Sequence, residues 1–235
     1  MHPLTEGAEV NAAATLWLNP IPAVLRADAI TRLAAGDVLG FLVTAGNEHS
    51  LSLVMMNAGT LLDRGLYEPA LLHAMTASRT NNAKFPAQHL VYLVSLADRG
   101  KLRAAGEPLP GSGPFTVYRG VAGRTTARRV RGLSWTFSLP LAAWFANRGS
   151  TVFGLPDPAV YRLTVPEPWA LAYVNGSHRG EEELFVLCDQ AARPQRCLAG
   201  AELADVAAAH GAAMHRKQQE QLAALKARPR PEAIG

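Results

Sequence analysis

Gly106-Glu-Pro-Leu-Pro-Gly-Ser-Gly-Pro114 divides the chain into two kinds of sequence. Proline lacks the amide proton that helices and sheets need, and glycine is too free to hold either, so this stretch reads as a loop. Before it, apolar residues recur at three- and four-residue spacings. After it come short runs that read as strands. Helices first and strands second predict an α+β fold rather than βαβ alternation.

Upstream of the loop, residues 1–18 are alanine-rich and poorly patterned, which predicts a loosely held arm. From Pro20 the pattern turns helical, with Ile21, Val24, Leu25, Ile30 and Leu33 on one stripe and Gly36 as a stop. A second helical stretch follows over about Val38–Ala45, broken by Gly46-Asn47. Ser50–Arg64 is dense enough in leucine, valine and methionine to predict one central buried helix. Glu68–Thr80 places Leu71, Leu72 and Met75 on one face, and Arg79-Thr-Asn-Asn82 reads as a cap or turn, the alternative being a cleft lining. His89–Arg103 fits helix or strand by periodicity, and its charged end favours one helix.

Downstream, strands are predicted at Phe115–Val121, Arg131–Phe137, Tyr161–Val165, Ala170–Val174 and Leu184–Leu187. Between the second and third lies Leu139–Asn147, a short helix with Pro140 at its start and Ser138 as its cap. After Leu187, Pro194 and Gly200 bracket a turn-rich piece. Glu202–Ala227 then forms a last helix, weakened at Gly211, before a basic tail.

Composition sets the outer bounds. A chain of 235 residues, about half of them apolar, can bury a full core in one large domain or two small ones. No apolar run approaches the roughly 18 residues of a membrane span, so no membrane partner is expected. Met1-His-Pro-Leu-Thr-Glu-Gly7 lacks the basic and apolar regions of a secretory signal. The two cysteines, Cys188 and Cys197, read as free thiols in a reducing cytoplasm rather than as a disulfide. A net charge of +4 allows an anionic ligand but falls short of a nucleic-acid binder's basic stripe, even with the Arg124–Arg131 cluster and the tail lysines and arginines. The chain holds no Walker loop, GxGxxG, HExxH or paired CxxC, and no metal site is expected.

Three stretches carry chemistry. Arg179-Gly-Glu-Glu-Glu-Leu-Phe-Val-Leu187 sets three carboxylates at the mouth of an apolar run, and strand alternation sends Glu181 and Glu183 to one face and Glu182 to the other. The plain alternative is a solvated strand end. Phe115-Thr-Val-Tyr-Arg-Gly-Val121 carries Arg119 in the middle of a strand, where a guanidinium needs an anion. Gly132-Leu-Ser-Trp-Thr-Phe-Ser138 alternates hydroxyls with aromatics.

In this order, Tyr118-Arg119-Gly120, Ser134-Trp135-Thr136 with Ser138 behind it, and Glu181-Glu182-Glu183 resemble the motifs of the mono-ADP-ribosyltransferase family of the clostridial and cholera toxin type. The resemblance covers about Phe115–Val186. It implies a helical portion at 19–105, then a mixed, mainly antiparallel two-sheet core with its motifs in 115–187, the domain as a whole spanning 19–200 and a helix and basic tail following over 201–235. It also implies NAD as substrate, no metal, and transfer of ADP-ribose to a protein acceptor, with arginine the default target because Glu181 stands first in the pair.

Residue by residue, the resemblance implies that Arg119 supplies a cation near the NAD phosphates and braces the cleft. Gly120 lets the backbone approach the nicotinamide amide. Ser134 orients the catalytic glutamate, Thr136 shapes the cleft floor, and Trp135 points into the core. Phe145 or Trp144 packs on the nicotinamide, unless that helix face is simply core. Glu183 stabilises the positive charge that builds on the ribose as the nicotinamide leaves, and Glu181 orients or deprotonates the nucleophile. Three consecutive glutamates leave the register open to Glu182, although the apolar run from Leu184 favours Glu183 as the last. The loop Tyr173–Gly180, with His178 and Arg179, is where such proteins meet their acceptor. An NAD glycohydrolase, or a binding protein that keeps the scaffold without turnover, fits the same motifs. The expected setting is the cytoplasm of the producing cell, or of a host into which the protein is delivered.

Overall fold

The computed structural model describes residues 16–77, 85–124, 130–175, 181–188 and 192–227. The chain divides into two compact units between Pro108 and Leu109, inside the Pro/Gly loop, and the two together are α+β. No helix among the described residues is long and apolar enough to cross a membrane.

The first unit is helical. A short 3-10 turn at Ala23–Leu25 leads into α1 (Arg26–Ala34), α2 (Val38–Val43), α3 (Ser50–Met56), α4 (Ala58–Asp63), α5 (Tyr67–Ala77), α6 (Ala87–Leu96) and α7 (Arg99–Ala104). Gly36 and Gly46 follow α1 and α2 with φ of +79° and +77°, the left-handed stops that glycine adopts without a Cβ penalty. Phe41, Leu42, Leu53, Leu61, Leu71 and Leu93 are fully buried and form its core.

Two helices expected to be continuous are each a pair. Ser50–Arg64 breaks at Asn57, whose side chain bonds to backbone instead of letting the helix run on. Its Oδ1 accepts from the Trp17 amide at 2.8 Å, while Nδ2 donates to the carbonyls of Trp17 at 3.0 Å and Leu53 at 2.9 Å. The same clamp fixes Trp17, near the end of the arm expected to be loose. His89–Arg103 breaks at Ala97-Asp98, where Asp98 caps α7 by accepting from the Lys101 amide at 2.9 Å. Two groups near the start of α5 reach this region: the Tyr67 hydroxyl donates to the Leu93 carbonyl at 2.8 Å, and Glu68 accepts from the Asp98 amide at 3.0 Å. Residues 79–82, read as a cap, lie outside the described residues.

The second unit holds β1 (Phe115–Val121), β2 (Ser134–Thr136), α8 (Leu139–Phe153), β3 (Ala159–Val165), β4 (Ala170–Val174), β5 (Glu183–Val186), β6 (Gln195–Ala199) and α9 (Gly200–Ala227). β1 and β4 match their expected bounds, while β2 is shorter than Arg131–Phe137. β6 replaces the expected turn-rich piece: its polar, mostly exposed residues hide the strand, which pairs at the sheet edge with β3.

The strands form one six-stranded sheet in the order β4-β5-β2-β1-β3-β6, with every neighbouring pair antiparallel. The expectation of two sheets is corrected accordingly, and the reason for it is visible at the centre. β1 meets β2 at the single register pair Tyr118↔Thr136, whereas β1 and β3 pair along their whole length. Phe115, Val117, Leu163 and Val165 from one half share a buried cluster with Trp135, Ala170, Tyr173, Leu184 and Val186 from the other. Phe137 sits across the β1–β2 seam, edge-on to Phe115 at 5.9 Å and to Tyr173 at 5.7 Å.

α8 covers the other face of β1. It starts where Ser138 accepts from the Leu141 amide at 3.2 Å, with Pro140 in the first turn, as expected. It runs past the expected Asn147 to Phe153 and stops at Gly154, which has φ +62°. Gly120 makes the contact possible, because a Cβ there would fall on the Ala142 carbonyl oxygen. α9 packs on α8 through Leu203 and Ala207 and runs unbroken through Gly211, which lies against the Trp144 ring.

Candidate active site

The narrow β1–β2 seam exposes backbone groups that a regular ladder would pair. The Leu133 carbonyl accepts from the Val186 amide at 2.7 Å, so the next carbonyl along β2, that of Ser134, points the other way, toward β1. The Arg119 side chain meets it: Nη1 donates to the Ser134 carbonyl. Its guanidinium lies under Gly132, where any Cβ would collide with Nη2, and Arg119 is only 5% exposed. A buried guanidinium is tolerated because its protons find acceptors.

Ser134 then carries the connection outward. Its hydroxyl donates to Glu183 Oε1 across the β2–β5 pair. One residue of β2 therefore joins Arg119, through its carbonyl, to Glu183, through its side chain. Both Ser134 and Glu183 are half-buried. Trp135 between Ser134 and Thr136 is buried in the core, its Nε1 donating to the Gly132 carbonyl at 2.9 Å.

Thr136 has a separate partner. Its hydroxyl, on a buried side chain, donates to the Glu181 carbonyl at 2.8 Å and accepts from the Ser138 amide at 3.1 Å. The Phe137 amide donates to the Glu182 carbonyl at 3.3 Å. β5 begins only at Glu183, and Glu182 before it has φ +45°. The expected alternation, with Glu181 and Glu183 on one strand face, is thus replaced by irregular chain before the strand: a left-handed residue breaks the two-residue period.

The remaining candidates stand apart from this chain of bonds. Gly120, read as opening the backbone to nicotinamide, owes its lack of side chain to the packing of α8. Phe145 is half-buried and meets Trp144 edge-on at 5.2 Å, with the Arg148 guanidinium 5.3 Å from the Trp144 ring centre. His178 and Arg179 lie outside the described residues. Cys188 is a free thiol whose pKa burial raises, partly offset by the nearby charge of Arg119. Among the described residues no group of His, Cys, Asp and Glu is arranged to hold a metal ion. A cavity of about 280 Å³ near the β3–β6 edge, lined by Arg162, Thr164, Trp169, Arg193 and their neighbours, includes none of the candidate residues.

Gly132 is the participant that sequence reading passed over. Its signal was a glycine two residues before Ser134, needed for close approach by another side chain. The arrangement offers a carboxylate gripped by a hydroxyl, on a strand anchored by a buried cation, with a second carboxylate held two residues away through its backbone. Such a group can stabilise positive charge developing on a bound substrate and accept a proton. No family model, no curated protein and no solved structure matches the chain in the comparisons made.

Proposed function

We propose that the second unit is an NAD-dependent mono-ADP-ribosyltransferase that releases nicotinamide and joins ADP-ribose to a protein side chain, arginine by preference. The observation that carries this reading is the hydrogen-bonded chain from Arg119 through Ser134 to Glu183, which joins one residue from each of β1, β2 and β5. These are the positions that the motif resemblance assigns to a cation, a hydroxyl and a catalytic carboxylate.

The chemistry follows from charge. The bond between ribose C1′ and the nicotinamide nitrogen breaks with its electron pair going to nicotinamide, which leaves neutral, and the sugar becomes an oxocarbenium-like cation. Glu183 stabilises that cation, and Ser134 keeps its carboxylate in place. The acceptor guanidinium nitrogen then bonds to C1′ and loses a proton, for which the motif resemblance assigns Glu181 as the base. Arg119 acts first as a brace: with its guanidinium on the Ser134 carbonyl, it fixes the strand that fixes the glutamate.

Incubating the protein with labelled NAD and a cell lysate tests this directly. Label on a protein band together with nicotinamide release supports transfer. Nicotinamide release with no labelled band assigns the same site to NAD hydrolysis, and neither signal would sink both.

A further inference from the structure

We infer that Glu182 is a positioning residue of this site and acts through its backbone rather than its carboxylate; the inference rests on the proposed reaction. Glu182 has φ +45°, a region that L residues enter at a steric cost and keep where their surroundings enforce it. Among the described residues the other non-glycine residue with positive φ, Asp157, is of a type enriched there, and it sits in the loop before β3, where it pairs with Arg124 at 2.7 Å. Glutamate has no such preference.

The surroundings of Glu182 are specific. The carbonyl before it, on Glu181, accepts from the buried Thr136 hydroxyl at 2.8 Å, and its own carbonyl accepts from the Phe137 amide at 3.3 Å. The peptide groups on both sides of Glu182 are therefore pinned, through their carbonyls, to the same short piece of chain, the end of β2. The Ser138 amide, donating to the Thr136 hydroxyl at 3.1 Å, ties that piece to the cap of α8. Glu183 is held independently, by the Ser134 hydroxyl.

The two glutamates assigned to the reaction thus have separate holders, Glu181 at its backbone carbonyl and Glu183 at its carboxylate, and Glu182 is the joint between them. In a regular strand the pleat would fix the relative direction of Glu181 and Glu183. Here the left-handed residue fixes it, and Thr136 and Phe137 hold that residue in place. What position 182 must supply is a backbone that accepts positive φ, and the register question among the three glutamates resolves with Glu182 as spacer.

Four variants separate backbone from charge: Glu182→Gly, Glu182→Asn, Glu182→Gln and Glu182→Val, each assayed for nicotinamide release, KM for NAD and thermal midpoint. Glycine and asparagine accept the left-handed region, glutamine keeps shape without charge, and a β-branched side chain resists it. The expected result is kcat within about threefold of the parent for Gly, Asn and Gln. For Val, kcat falls by about tenfold, equivalent to ~1.4 kcal/mol, with KM for NAD within about twofold. The thermal midpoint of Val falls below that of the parent, and that of Gly lies at or above it. If Gln loses turnover as Val does, or Val matches the parent in kcat, the inference is overturned. A parent that releases no nicotinamide defeats the reaction itself. The conformational claim is then decided by the thermal order Gly, parent, Val, and fails if that order is absent.

Discussion

Gly132 and Gly120 are both glycines of close approach, and they separate function from fold. A methyl group at position 132 would occupy the place of the Arg119 guanidinium, the movable end of a side chain. One at position 120 would strike the Ala142 carbonyl and the Ala146 amide, which belong to the backbone of α8. Gly132→Ala is therefore expected to release the brace on Ser134 and cut NAD turnover by about tenfold, at a smaller stability cost than Gly120→Ala, because the end of a side chain can shift where a helix backbone cannot. Gly120→Ala forces a helix off its strand and should cost about 1–3 kcal/mol or more. Denaturant unfolding of both variants beside the turnover assay checks the contrast. Equal loss of stability in the two would contradict it.

The same division appears at the level of elements. α8 hangs from β2 by the Ser138 cap, and Ser138→Ala should cost about 1 kcal/mol of stability in denaturant titration. In the first unit, Asn57→Ala removes one donor and acceptor set that ends α3 and holds Trp17, and about 1–3 kcal/mol is expected. A change below a few tenths of a kcal/mol in either would remove the role given to that side chain. What the sequence made legible follows the same physics. The Pro/Gly loop marks the unit boundary, Phe115–Val121 reads as β1 to the residue, and Ser138-Leu-Pro announces the start of α8, because each is decided locally. The breaks at Asn57 and Asp98 depend on distant backbone partners in one case and on a buried glutamate in the other. β6 is a strand only because β3 lies beside it. The Arg119–Ser134–Glu183 chain joins residues the motifs had already singled out, but Gly132 and the left-handed Glu182 become visible only when neighbouring strands are in place.

Across the whole molecule, one half-buried histidine in each unit is expected to set an acid limit. His73 in α5 and His210 in α9 each keep a buried Nε2 that has no hydrogen-bond partner, and burial lowers both pKa values below the ordinary 6.5. The unfolded chain then binds more protons than the folded one as pH falls through about 6.5. Stability is expected to be full above that value, to fall below it, and to have lost the whole contribution once the pH passes under the folded values. The double variant His73→Leu/His210→Leu should flatten the fall in thermal midpoint between about pH 7 and pH 5; an unchanged slope would assign the acid limit elsewhere. The central claim concerns Glu183 and is tested by a single comparison: nicotinamide release from NAD by the parent protein and by Glu183→Gln, with matched thermal midpoints. The account predicts release by the parent and a loss on the order of 10²-fold or more in the variant. Equal release from both proteins would contradict it.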